Sequence, residues 1–343
     1  MRKIIFVVGL VAVVLMASLA FNTRNAEPNT LTIVTTDGFV LQPELLMQFE
    51  RETGSKVVLQ KRASAEALLT QPITADVAYG LDTFTYARAI SSNIFEGYAS
   101  PQLAAIPPRL QIDSQNRLLP VEVNYITINY DKNYFAAREL PPPQTLRDLT
   151  DRKLFHKFVI VNPEASSIGF AFLALTVASF PEDSAYPWQI YWRDLLHNAV
   201  HPVMTWNEAY GALFSATQAA GSDPSATHPL CLSYAAAPVA DMQFNQRAQP
   251  VMGNVGTVGF ELVTYVGINK NTPARTLAQR FVDLLLSKTY QQTLALQRFV
   301  YSVRSDVLFP AAPPPANALS LPPEVIEQNR VQWLTIWRKM FGG

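Results

Sequence analysis

Cysteine is almost absent. Cys231 stands alone in 343 residues, which excludes an internal disulfide and any cysteine-based metal cluster. Glycine is sparse, 14 residues against 25 prolines, and neither common type of glycine-rich phosphate loop occurs. Histidine is scarce as well: His156, His197, His201 and His228. No G-x-S-x-G elbow accompanies them, so a hydrolase built from nucleophile, base and orienting acid has no support. His197 and His201 are four apart, a spacing that can place two metal ligands on one helix face. Pro202 follows at once, and the pair reads better as a helix end, where cationic character is favourable. An excess of charge is also missing, because 27 basic and 27 acidic residues cancel. A nucleic-acid partner usually calls for a basic surface. We expect no enzyme, no metal, no cofactor and no nucleic acid.

One long apolar run is present, at the N-terminus. Arg2-Lys3 precede Ile4 to Ala20, and Ser18-Leu19-Ala20 offers the small residues that a signal peptidase reads. No cysteine follows for a lipid anchor. The run sits at the lower limit of the ~17–25 residues that span a bilayer. Two readings stay open for residues 1–25: an export signal cleaved near Phe21, or an uncleaved anchor that is the chain's only membrane contact. Both place the body outside the cytoplasm.

That body is long enough for two ordinary domains with real cores. Leu31 to Thr35 alternates as a strand, Gln42 to Thr53 carries Leu45, Leu46 and Phe49 at helical spacing, and Lys56 to Leu59 reads as the next strand. Ser64-Ala65-Glu66 opens a helix, Ala75 to Gly80 is a strand, and a helix runs through Tyr86 and Ile90. Strand and helix alternating at this pace indicate a parallel α/β sheet. Val121 to Tyr130 and Phe260 to Ile268 are longer β-rich runs, which we read as the outward and return passages between two lobes. Between them, Pro141-Pro142-Pro143 leads to a helix near Leu146, and Trp188 to Leu196 is an aromatic-rich helix. A helix from Ala274 to Ser287 and a Pro-rich linker at Ala311 to Ala316 precede the last helix, Pro323 to Phe341. That helix has Ile326, Trp333, Trp337 and Met340 on one stripe.

Open α/β sheets hold ligands just beyond their strand ends. Thr36, Asp37 and Phe39, then Asp82, then Ser166, Ser167 and Gly169, then Tyr234 occupy such positions. Each residue type is equally at home in a turn or a cap. The stretch Val159 to Phe172 shows the ambiguity best. Small hydroxyl residues before an apolar helix cap it, and the same helix start can hold an oxyanion. Trp206 and Tyr210 share a helical face and suit either a core or a cleft wall.

Six segments carry a resemblance: ADVAYGLD (Ala75 to Asp82), NYDK (Asn129 to Lys132), NPEASSIGFAFL (Asn162 to Leu173), WNEAYGALF (Trp206 to Phe214), LSYAAAP (Leu232 to Pro238) and FVYSVRSDVLFP (Phe299 to Pro310). By these the chain resembles the extracytoplasmic solute-binding components of ABC importers, in their thiamine-binding branch. The resemblance implies an α/β, two-lobed periplasmic-binding-protein fold of type II. Each lobe would be a mainly parallel sheet flanked by helices, with two crossing strands between them. The boundaries expected are 30–123 with 267–343 for the first lobe and 124–266 for the second.

The resemblance also implies a small-molecule ligand, thiamine or a related cationic heterocycle with or without phosphate, and an ABC permease as partner to a monomer. Trp206, Tyr234 and Tyr301 match aromatic positions, Ser166, Ser167 and Gly169 the phosphate-side loop, and Glu122 and Tyr125 the hinge strand. The chain departs from the pattern at Thr36, Phe299 and Ala240, where aromatic residues are replaced, and at Ser64, where an acid is. Each aromatic loss removes roughly 0.5–2 kcal/mol of stacking or cation–π energy, so a polyamine or organic anion remains an alternative ligand, and a tethered sensory domain an alternative role. Iron is disfavoured, since Ala235 rather than a second tyrosine follows Tyr234.

Overall fold

The computed structural model describes residues 29–36, 38–218, 227–309 and 313–342. The first six elements alternate: β1 (Thr30–Thr36), α1 (Pro43–Thr53), β2 (Lys56–Arg62), α2 (Ala65–Thr70), β3 (Val77–Asp82) and α3 (Tyr86–Ser91). β1 pairs in parallel with β2 and β3. β3 is buried along its whole length, as a strand covered on both faces must be. Gly54 closes α1 with φ 65° and donates its N–H to Glu50 O, a left-handed cap that glycine adopts without a Cβ penalty.

After the short β4 (Phe95–Glu96), β5 (Leu119–Asp131) carries the chain into a second unit. There α4 (Lys132–Ala136), β6 (Phe158–Val161), α5 (Ser167–Ser179), α6 (Trp188–His197), β7 (His201–Val203), β8 (Leu230–Tyr234), α7 (Ala237–Phe244) and β9 (Met252–Asn254) follow. β10 (Val258–Asn269) returns, antiparallel to β5 and β3. α8 (Arg275–Leu286), α9 (Lys288–Arg298), β11 (Asn317–Leu319) and α10 (Pro323–Phe341) complete the chain. The sheet runs β2-β1-β3-β10-β5-β8-β6-β7, with β4 and β11 on β10 and β9 on β5. No helix among the described residues is long and apolar enough to cross a membrane.

The buried side chains form two cores. Along β5 they change sides between Tyr125 and Ile126, and along β10 between Val263 and Leu262. The two β-rich passages are therefore the two crossing strands. Tyr301 adds a short bridge to the first of them, exchanging both backbone bonds with Val123.

Two local expectations are corrected and one helix is added. Around Leu146 the three prolines lead only to short 3-10 turns, Arg147–Thr150 and Arg152–Leu154. α9 went unread because its sequence, KTYQQTLALQR, is mostly polar outside one narrow stripe. The last helix, expected with the first lobe, sets Ile326, Trp333 and Trp337 into the second core. Trp337 stacks on Phe341 at 4.3 Å and meets Trp192 edge-on at 6.0 Å. On its other side the same helix reaches the first lobe, with Glu327 3.1 Å from Arg88 and Arg330 3.8 Å from Glu66.

Candidate functional site

The segment after β7 is a π-helical turn, Asn207–Leu213, with Trp206 at its head. Wider i→i+5 bonding is frequent at functional sites, and here residues four apart come into near register. Trp206 and Tyr210 stack at 4.6 Å and 16°. Trp206 is fixed from behind by its Nε1–H, which donates to Ser233 Oγ at 3.1 Å. Tyr234, the last residue of β8, meets its ring edge-on at 5.7 Å. Burial pushes the Tyr234 hydroxyl up to about 12, against the pull of Arg298 and with a contribution from Glu122, so it stays neutral at physiological pH.

These three rings line one side of a cavity of about 470 Å³. Asn124 of β5 lies at its hinge end, and Arg298, Phe299 and Val300 close it from the first lobe. α7 contributes Asp241, Arg247 follows that helix, and both are on the wall. The cavity thus lies between the two cores, at the point where the chain crosses.

Two ion pairs frame it. Glu122, buried on β5, accepts hydrogen bonds from Tyr79 and Arg298. Burial opposes the charge of Arg298, and the Glu122 carboxylate with the surrounding tyrosines restores it, leaving the guanidinium more basic than usual. Asp241 accepts from Asn245 at 2.8 Å, and its other oxygen lies 3.3 Å from Arg247 Nε. That contact is an ion pair without a hydrogen bond, since both atoms are buried and unpartnered.

Of the residues singled out in the sequence, Trp206, Tyr210 and Tyr234 meet on one side of this cavity and Phe299 on the other. Glu122 touches it through Arg298. The remaining described candidates serve the fold elsewhere. Phe39 packs edge-on against Tyr79 at 4.6 Å in the first core, and Thr36 lies against Gly80. Ser64 caps α2 by accepting from Ala67 N. Tyr125 donates to Glu261 at 3.1 Å and meets Tyr301 edge-on at 4.9 Å. Asp37 lies outside the described residues.

The Ser166–Gly169 stretch is occupied too. Ser166 Oγ accepts from Ile168 N, capping α5. Ser167 Oγ donates across the lobes to Asp82 Oδ2 at 2.7 Å. The other oxygen of Asp82 accepts from Phe84 N and from Thr85 N and Oγ1. Burial still raises the Asp82 carboxyl above its ordinary value, against those bonds. Gly169 is a packing residue, because a Cβ there would fall 2.4 Å from Val161 O.

His197 ends α6 and His201 opens β7, so the two share no helix face. His201 Nδ1 lies instead 3.3 Å from His228 Nε2. Among the described residues no group of three or more His, Cys, Asp or Glu is arranged to hold a metal ion.

Sequence reading missed Asn124, Asp241, Arg247 and Arg298. Asp241 had a signal, a lone charge closing the apolar run AAAPVAD.

Residues 73–334 match the family model of bacterial extracellular solute-binding proteins. The thiamine-binding periplasmic protein of Brucella suis biovar 1 (strain 1330) is 26% identical over 332 residues, 90% of this chain and 91% of that one. Among solved structures, a periplasmic thiamin binding protein superposes with a TM-score of 0.72 at 20% identity, covering 91% of this chain and 96% of the other. Iron-bound HitA from Pseudomonas aeruginosa gives 0.69 at 18% identity, over 91% and 99%. Both share the two-lobed, type II architecture described above. One is named for thiamin and the other holds iron, so this fold leaves the choice of ligand to the cleft walls.

Proposed function

The chain belongs to the bacterial extracellular solute-binding proteins, and from that premise we propose that it captures thiamine or a closely related ring cation for import. The cleft between its lobes is the binding site, and an ABC permease receives the ligand from a single copy of the chain. One observation carries this reading: the stacked pair Trp206–Tyr210, with Tyr234 edge-on and Phe299 opposite, on the wall of an interlobe cavity. Flat aromatic walls favour a flat ligand, and a cationic ring gains cation–π energy from them, roughly 0.5–2 kcal/mol per face. The cavity, about 470 Å³, falls within the ~300–1,000 Å³ typical of small-molecule sites. The relatives named for thiamine support the same ligand.

Titration of folded, ligand-free protein with thiamine, its monophosphate and its diphosphate tests the reading. Calorimetry should show saturable heat for at least one, with a parallel change in tryptophan fluorescence from Trp206. Flat traces for all three would overturn the thiamine assignment.

A further inference from the structure

Both ion pairs of the cleft are oriented alike. The Arg298 side chain is 22% exposed while that of Glu122 is 4%, and Arg247 is 36% exposed while Asp241 is 3%. The carboxylates lie inward and the guanidinium groups outward. Among the described residues neither arginine has its donors filled. A guanidinium carries five N–H donors, and Arg298 makes one hydrogen bond there, to Glu122. Arg247 turns its Nε inward to Asp241 as an ion pair without a hydrogen bond, which leaves its terminal N–H groups as the open donors. Arg298 also lies close to Gly38, its Nη2 3.4 Å from where a Cβ would stand. The serines from which an anion site was expected are already committed to a cap and to Asp82.

We propose that Arg298 and Arg247 form the oxyanion site of this cleft, and that the ligand is a flat ring bearing a phosphate or carboxylate group. The proposal rests on the reading of the cleft as a ring-binding site and adds the second half of the ligand. The ring lies on Trp206, Tyr210 and Tyr234, and the anion takes the open donors of the two arginines. Planar guanidinium groups match the paired oxygens of phosphate and carboxylate. Because the negative partners sit behind, they hold the arginines in place and keep the empty cleft neutral.

The test compares thiamine, thiamine monophosphate and phenyl phosphate on the wild-type protein and on R298Q, R247Q, E122Q and the double variant E122Q/R298Q. Wild type should bind the monophosphate about tenfold or more tightly than the alcohol. R298Q and R247Q should each lower that ratio. R298Q leaves Glu122 buried without its cation, so the double variant, which removes both charges, guards against misfolding and should also lose the preference. E122Q frees Arg298 from its neutralising partner and should raise the ratio, an opposite sign that a merely structural role would not give. Equal binding of alcohol and ester by wild type, or a preference that survives in E122Q/R298Q, overturns the proposal and leaves the thiamine reading standing. Binding of phenyl phosphate alone, weakened in R298Q, supports the oxyanion site and removes thiamine. Binding of none of the three overturns both.

Discussion

Two short segments of the second lobe looked equally suited to a ligand, and the structure treats them differently. At Ser166–Gly169 both side-chain hydroxyls are engaged, one capping a helix and the other bridging to Asp82, and the glycine admits a carbonyl where a side chain would stand. At Trp206–Tyr210 the indole N–H is tied to Ser233, yet both rings border a cavity. Residue type did not separate the two. What separates them is whether bonding capacity and surface remain after the chain has folded.

The difference is sharpest in a pair of substitutions. Gly169→Ala forces a Cβ to within 2.4 Å of a backbone oxygen. It should lower stability by about 3 kcal/mol, the upper part of the overpacking range, as read by denaturant unfolding. Trp206→Ala should cost about 2 kcal/mol of ligand affinity, as a buried aromatic anchor does, while its denaturation midpoint moves far less than that of Gly169→Ala. A reversal of the two readouts would erase the contrast.

Ser167→Ala gives a smaller effect of the same kind. It removes the hydrogen bond to Asp82 Oδ2 that crosses the lobes, worth about 1.5 kcal/mol with a charged acceptor. Differential scanning calorimetry should show a lower melting temperature, and calorimetric titration the same loss, or none, for phosphorylated and free ligand. A selective loss for the ester would return the oxyanion to this loop.

The third test uses the far end of the same strands. His228, two residues before β8, is buried and sits beside His201, His156 and Lys157. Burial first, then those neighbours, pull it down to about 4. A base with a depressed folded value is stabilising while neutral and loses that contribution as the pH falls. Stability should therefore drop between about pH 6.5, where the unfolded chain starts to take up the proton, and about pH 4. After discounting for partial solvation the loss is on the order of 1 kcal/mol. His228→Gln should flatten this part of the pH–stability curve, and an unchanged slope would dismiss the cluster.

Much of the fold was legible because its signals are local and periodic. The β-branched runs, the glycine after α1 and the serines before α2 and α5 each state an element on their own. The assignment of α10 was not legible, since an apolar stripe says that a helix docks but not on which core. The site was half legible. Aromatic residues after strands stood out, whereas Arg298 is the last residue of a helix, where a basic side chain already complements the dipole. Only the packing reveals Glu122 behind it. Ser166 and Ser167 misled for the converse reason: the chemistry that caps a helix is the chemistry that binds an oxyanion, and sequence does not say which partner is present.

The last helix turns a hinge into a frame. Two strands alone would let the lobes swing; α10 is a third tie, and any change of angle between the lobes must slide it against one of them. The two seams are unequal. Against the first lobe it is held by the partly exposed pairs Glu327–Arg88 and Arg330–Glu66, a kind worth about 0–1 kcal/mol each. Against the second it is held by buried tryptophans, each worth about 3–5 kcal/mol on truncation. On any rotation of the lobes the weaker seam is expected to give first, leaving the helix with the second lobe and its charged face as the bearing on which the first lobe turns.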